Sequence, residues 1–406
     1  MIVTTRRVQD RIEELFALAP SPNSGADRPA FSQREAEATL LVAQWAEEAG
    51  LQPAIDPFGN LWCLPPGDRP FVTSGSHVDT VPDGGRLDGP LGTVLGVEAA
   101  ESVRGQSGLL ICAAEEAARF GAGTIGSRCM TGKLSDSDLA EMRDANGRDA
   151  LTAREEYLQA LDTLPRLERS PLDRVLAHVE IHIEQRTDLQ RDGCSIGIAT
   201  TIAGPVRHRL HFIGEVAHAG ETPATERRDA LCAAAETTLL AERLCKGYAP
   251  HTTATVGTLR LAPNALTSIP GTAELGVDIR STKPGEAKRL LEELLAGAHD
   301  AADSRGVTLS ERSLSASEPT VMDEEMVRAV EEACKETGAS CRRVVSFAGH
   351  DAQHVAVAVP AALLFVASEN GVSHAPGEAA DWHDVEAALA VLTTLMRDLQ
   401  ATRRHQ

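Results

Sequence analysis

A chain of 406 residues, 42% hydrophobic and 24% charged, has the balance of a packed globular protein with room for two domains, or for one large α/β domain carrying an insertion. Its formal charge of −20 is spread over segments such as Glu47-Glu48, Glu155-Glu156 and Glu331-Glu332, interleaved with Lys and Arg as on solvated helices, and no basic face for nucleic acid is visible. No run is long enough to span a bilayer, MIVTTRRVQDRIEELF has no signal-peptide core, and eight cysteines without a CxxC pair read as small core residues; the expectation is a soluble cytoplasmic protein with no membrane partner and no zinc–thiolate site.

In chain order, Val8, Ile12, Leu15 and Phe16 recur at helical spacing, predicting a helix over 5–19 that Pro20, Pro22 and Gly25 end. A second helix over 33–49 closes at Gly50. Two short extended segments flank Phe58-Gly59-Asn60, and the apolar Phe71-Val72-Thr73 leads into SGSHVDTVPDGGRLDGPLGTVLG at 74–96. That stretch sets His77, Asp79 and Asp88 among four glycines, Gly84, Gly85, Gly89 and Gly92, which let a loop fold closely round a site. Imidazole with carboxylate suits a borderline divalent metal, although a polar loop at a strand end explains the same letters.

GLLICAA at 108–114 has the length of a buried strand in a mostly parallel sheet, and it ends in Glu115-Glu116. Paired carboxylates there need a cation or a proton to compensate them, unless they sit on a surface turn. Residues 133–174 read as helices outside the core. In VLAHVEIHIEQ at 175–185, strand alternation puts His178, Glu180, His182 and Glu184 on one face and Val179, Ile181 and Ile183 on the other; a site strand and a half-exposed edge strand fit equally.

From Val206 the texture changes: strands at 206–216, 254–261, 272–281 and 307–313 alternate with helices near 226–246 and 285–302. This β, α, β, β, α, β run predicts a split-βαβ, ferredoxin-like α+β domain at 205–318, inserted into an α/β domain made of 1–204 and 319–406. The return comprises a helix at 323–337, an extended segment at 341–347, a strand at 361–367 and a last helix at 384–399.

Nine segments in order carry a resemblance: GSHVDT, LDGPLG, EEAARFGAGTIGSR, HIEQ, HAGETPATERRDAL, PNALTSIPG, DIRS, AGHDA and GVSHAP. Together the chain resembles the dinuclear-metal amidohydrolase and peptidase family, in its branch of N-carbamoyl-L-amino-acid hydrolases, allantoate amidohydrolases and β-ureidopropionases. The resemblance implies a mostly parallel-sheet, zinc-peptidase-like catalytic domain with an inserted dimerisation or lid domain. It implies two divalent ions, zinc, manganese or cobalt, with Asp88 as the bridge, His77 and His182 on one ion and Glu116 and His374 on the other. Asp79 would orient His77, and Asp88-Gly89 would be a cis peptide. Glu115 would be the general base taking a proton from water activated by the ions, and His218 would stabilise the oxyanion from a partner subunit. Asn264 and Arg280 would hold the substrate carboxylate, with Gln185 and His350 as further contacts; Asn264 also reads as a turn residue after Pro263. The implied enzyme is a homodimer in which His218, Asn264 and Arg280 could be contributed across subunits. Its substrate would be a small carboxylate-bearing N-carbamoyl-L-amino acid, with allantoate or another ureide as the alternative, and an aminoacylase, a peptidase or a non-catalytic binding protein ranked below. Arg186-Thr187 where Gly-Pro is usual, and Glu221 within HAGET, are departures beside substrate-facing positions.

Overall fold

A computed structural model describes residues 5–103 and 106–403; the first four residues of the N-terminal stretch read above lie outside the described residues. Contacts divide the chain into two compact units. The first takes the chain through Thr200, Met322–Val344 and the residues from Gly349 on; the second takes Thr201–Val321 with Val345–Ala348.

The chain enters the first unit through helices Thr5–Leu18 and Gln33–Glu48, then β1 (Gln52–Ile55), β2 (Leu61–Leu64) and β3 (Phe71–Gly75). Helix Pro90–Ser102, β4 (Ser107–Ile111), β5 (Val175–Ile183) and β6 (Ile196–Ile202) follow. The second unit contributes β7 (Gly204–Ile213), β8 (Ala217–His218), β9 (Thr252–Ala262), β10 (Ser268–Ile269), β11 (Thr272–Ser281) and β12 (Thr308–Ala316). The return adds β13 (Thr320–Val321), β14 (Cys341–Ser346), β15 (Ala361–Val366) and helix Trp382–Arg403.

The large sheet runs β1-β2-β4-β3-β5-β15-β6 with β13 and β14 beside β6. Its centre, β4-β3-β5-β15, is parallel, while β1, β2 and β6 join antiparallel. The chain is therefore α/β, and the carboxyl ends of the four parallel strands share one edge, where open α/β sheets bind ligands. β5 lies between β3 and β15, so the edge-strand reading of 175–185 is corrected. Its polar row is interior: His178, Glu180, His182 and Glu184 are all buried.

Helix Pro90–Ser102 was not legible from periodicity, because it is buried on nearly every side and shows no apolar stripe. Pro90 opens it, and a Cβ at Gly92 would lie 1.9 Å from the Ile181 carbonyl oxygen, so glycine alone lets the helix rest on β5. That contact suspends Asp88, just before the helix, over the end of β5. The expected cis bond at Asp88-Gly89 is not found: the cis peptides among the described residues precede Pro250 and Pro263. The chain turns instead at Gly89, whose φ of 83° favours glycine.

In the second unit β12-β7-β11-β9 form an antiparallel sheet. Helices Ala230–Tyr248 and Glu286–Asp303 cover one face, where Leu210, Phe212, Leu275 and Ile279 meet Leu290 and Leu294. With the two-residue strands β8 and β10 set aside, the strands and helices of this unit follow one another as β, α, β, β, α, β. Four of the eight cysteines, Cys63, Cys112, Cys129 and Cys334, are buried; Cys232 is exposed and the rest are intermediate, so the core reading holds for half of them. No helix among the described residues is long and apolar enough to cross a membrane.

Candidate active site

The parallel strands deliver their side chains to one place. His77 follows β3, Glu115 and Glu116 follow β4, His182 ends β5 and His374 lies on the loop after β15. Asp88 sits among them. Its Oδ1 lies 3.0 Å from His182 Nδ1 and its Oδ2 lies 3.3 Å from His374 Nε2, which is itself 3.3 Å from Glu116 Oε1. Three donor groups are close enough to hold a cation: His77, Asp88 and His182; Asp88, Glu116 and His374; and Glu115, His182 and His350. Asp88 thus serves two groups with one carboxylate.

Asp79 braces the cluster from beneath. Its carboxylate accepts the Glu115 and Glu116 amides at 3.0 and 2.9 Å and lies 3.3 Å from His77 Nδ1, whose shorter contact, 3.1 Å, is to the Asp79 carbonyl oxygen. Both glutamates are buried, so the surface-turn reading is corrected. Gln185 Nε2 donates to Asp88 Oδ2 at 3.1 Å, and His350 packs on His182 with ring centroids 4.4 Å apart.

Burial drives the electrostatics. It pushes Glu115 well above the usual carboxylate range, and Glu116, Asp351, Asp79 and Asp88 add to the push. Burial works against protonated histidines, yet Asp79 outweighs it at His77, raised to about 9, and Glu180 with Asp88 does so at His182, raised to about 10. Hydrogen bonds to Asp88 and Glu116 raise half-exposed His374 to about 10. Burial opposes Asp88 ionisation, but His182 and His374 hold it well below its ordinary value.

Several residues that sequence reasoning passed over hold this arrangement. Glu180 Oε1 sits 2.7 Å from His182 Nε2. Glu378 Oε2 accepts the Leu87 and Asp88 amides at 2.6 and 3.0 Å, and Ser373 Oγ donates to Asp88 Oδ2 at 2.9 Å. Glu35, fully buried on the second helix, accepts the amides of Ala114, at 2.8 Å, and Phe31. Buried Arg28 donates to the carbonyls of Val78, at 2.7 Å, and Leu15, and it faces Asp79 and Glu35. Glu180 alone had a signal, its place in the alternating row; Glu378 and Glu35 act through backbone amides, Arg28 through backbone carbonyls and Ser373 through a contact distant in sequence, none of which spacing reveals. Glu35→Ala is expected to destabilise the first unit by about 2–4 kcal/mol, because two buried amides lose their acceptor. Urea unfolding measures this, and an unchanged midpoint would contradict it.

His218, Asn264 and Arg280 lie in the second unit. His218 pairs across β8 and β10 with Ser268, and Asn264 is exposed on the adjoining loop. His218 Nδ1 accepts the amides of Gly220 and Glu221, both at 3.2 Å. Arg280 donates through Nε and Nη2 to Asp278, at 2.9 and 3.1 Å, and through Nη1 to the Phe347 carbonyl at 2.8 Å.

A sheet of this topology with a cation-sized carboxylate and imidazole cluster at its carboxyl edge defines a class. Residues 74–398 match Peptidase family M20/M25/M40, and the chain belongs to that family. Within it the chain is 34% identical to the N-carbamoyl-L-amino acid amidohydrolase of Geobacillus stearothermophilus, covering 96% of this chain and 97% of that one. It is 31% identical to the allantoate amidohydrolase of Bacillus subtilis, covering 97% of each. An amidase of the hydantoinase/carbamoylase family from Burkholderia vietnamiensis superimposes with a TM-score of 0.87 at 30% identity, covering 98% of this chain and 97% of that one. These likenesses bear out the resemblance carried by the motifs.

Proposed function

We propose that this protein is a metal-dependent amidohydrolase that cleaves the carbamoyl (ureido) C–N bond of an N-carbamoyl-L-amino acid or a similar small carboxylate-bearing ureide. The observation that carries the reading is Asp88, whose two oxygens enter two donor groups with Glu115 alongside. The donor set fits divalent cations: it is all oxygen and nitrogen, it is largely buried, and its carboxylates hold excess negative charge that drives three histidines to keep protons. His77, Asp88 and His182 would hold one ion and Asp88, Glu116 and His374 the other. When bound, zinc, manganese or cobalt supplies Lewis-acid polarisation and acidifies water.

The chain's own groups do the rest. Glu115, 3.8 Å from His77 Nε2, accepts the proton of the attacking water and returns it to the departing nitrogen. His218, with Nδ1 occupied as an acceptor, keeps its proton on Nε2 and donates it to the developing oxyanion. Arg280, its fork fixed by Asp278 and Phe347, retains one free N–H on each terminal nitrogen for a bidentate hold on the substrate carboxylate. Asn264, Gln185 and His350 complete the contacts. The second unit is a dimerisation and lid domain in this reading, supported by the open edge of β9 and the exposed Leu239 and Leu259.

The test is a panel of N-carbamoyl-, N-formyl- and N-acetyl-amino acids plus allantoate, assayed with defined metals. Turnover of the carbamoyl compounds above the acyl ones is expected. Hydrolysis of acetyl-amino acids alone would reassign the protein as an aminoacylase.

A further inference from the structure

Within an acidic chain, the fold gathers several arginines of the second unit on one face of its sheet. Alternation along the strands gives one face of the second unit's sheet to its two helices and sets the remaining side chains on the other. On that other face, register sets Arg312 of β12 directly opposite Arg209 of β7. Like charges directly opposite are destabilising, so packing does not account for this pair. Arg209 has only a loose ion pair, 3.5 Å to Glu274, and neither Arg312 nor Arg260, which stands opposite Glu274 on β9, has an ion pair among the described residues. Arg209, Arg312, His211 and Ser310 line a depression of about 340 Å3 together with Glu274 and Glu311.

The same row continues. Two residues before Arg209, Arg207 donates to Asp278 Oδ2 at 2.8 Å, and Asp278 is the carboxylate that also clamps Arg280. Arg209 pairs with Gly276, four residues from Arg280, which at about 3.3 Å per residue is about 13 Å along the sheet. A small ureide does not span that distance, so the depression is not a second contact for the substrate held at Arg280. It lies just beyond the screening length of about 10 Å at 0.1 M and well inside the length of about 30 Å at 0.01 M, so its field reaches an anion near Arg280 at low ionic strength.

We infer that this face is an anion-capture surface: Arg209 and Arg312, with His211 and Ser310, take up small carboxylate-class anions, and Arg207 extends the positive potential to Arg280. The inference rests on the reading of Arg280 as the substrate's carboxylate anchor, and it concerns delivery, not chemistry.

The experiment compares the metal-loaded enzyme with the double variant Arg209→Ser/Arg312→Ser. Calorimetric titration with inorganic sulfate at low ionic strength is expected to show a site in the parent that the variant lacks. For an N-carbamoyl-L-amino acid, kcat/KM of the variant should fall about three- to tenfold near 10 mM ionic strength with kcat unchanged, and the two proteins should converge near 0.5 M as screening removes the field. Identical sulfate titrations overturn the inference. So does a loss of sulfate binding with no change in the salt dependence of kcat/KM. Should the parent turn over no ureide at all, the proposed function fails, and the sulfate titration still judges the anion site by itself.

Discussion

Replacing Glu115 with glutamine is expected to lower kcat by about 10²–10⁴-fold at saturating metal, because the amide keeps the shape of the side chain and loses its ability to take and return a proton. The backbone amide of Glu115 still bonds to Asp79, so the loop that carries the side chain has no reason to move. Glu115 also lies outside the two groups that share Asp88, so metal uptake should be retained. The paired variant Glu116→Gln should behave oppositely: it weakens a group of donors and lowers metal content, and excess metal should restore part of the rate. Turnover, metal content by atomic absorption and the circular dichroism spectrum separate the two outcomes. A Glu115→Gln protein retaining more than a tenth of parental kcat would move the base elsewhere, with buried Asp351, pushed up to about 7 by burial and by Glu180, the next candidate.

Chelation should abolish turnover and change how stability responds to pH. Three histidines have folded-state values above the ordinary imidazole value of about 6.5: His77 at about 9, and His182 and His374 at about 10. Groups raised in this way stabilise the fold fully below about pH 6.5, and the contribution is lost as pH rises through 9 and 10. Glu378, raised to about 7 by burial and Asp88, acts in the same direction, its contribution present below about pH 4.5 and lost through 7. Asp88 and Glu180 act in the other direction: their values lie below the ordinary ones, Glu180 at about 2, so their contribution is present above about pH 4 and lost as pH falls further. The metal-free protein should therefore be most stable between about pH 4.5 and 6.5, with Tm falling steadily toward pH 9.5. In the loaded protein the ions replace those protons and bind more tightly as pH rises, so the gap in Tm between loaded and chelated protein should widen over the same range. Differential scanning calorimetry from pH 5 to 9.5, with and without EDTA, reads this directly. Equal Tm values throughout, with turnover surviving EDTA, would remove the basis for a metal site.

The two expectations differ in what they ask of the sequence. Glu115, Glu116, His77, Asp88 and His182 were legible as candidates, because carboxylates and imidazoles at the ends of apolar strands are expensive to place without a purpose, whereas His374 was carried only by the family resemblance. What the letters left open was which of two environments each would have. Glu115-Glu116 reads equally as a surface turn, and 175–185 as an edge strand; burial of both glutamates decided the first, and strand order decided the second, since β5 is covered on both flanks by β3 and β15. Helix Pro90–Ser102 escaped because a helix buried all round has no stripe to detect.

Periodicity by itself pointed to the α/β class and to a β, α, β, β, α, β run, and residue type marked His77, Asp88, Glu115-Glu116 and the His/Glu row of 175–185, because burial patterns and side-chain chemistry are local properties of the chain; the full ligand set came from the family resemblance. Only the tertiary structure decided that Asp88 stands between two donor groups, that Glu35, Arg28 and Glu378 hold the site through contacts far apart in sequence, and that scattered arginines of β7, β9, β11 and β12 meet on one face. Those facts depend on register and strand order, which set which residues become neighbours and which no single segment encodes.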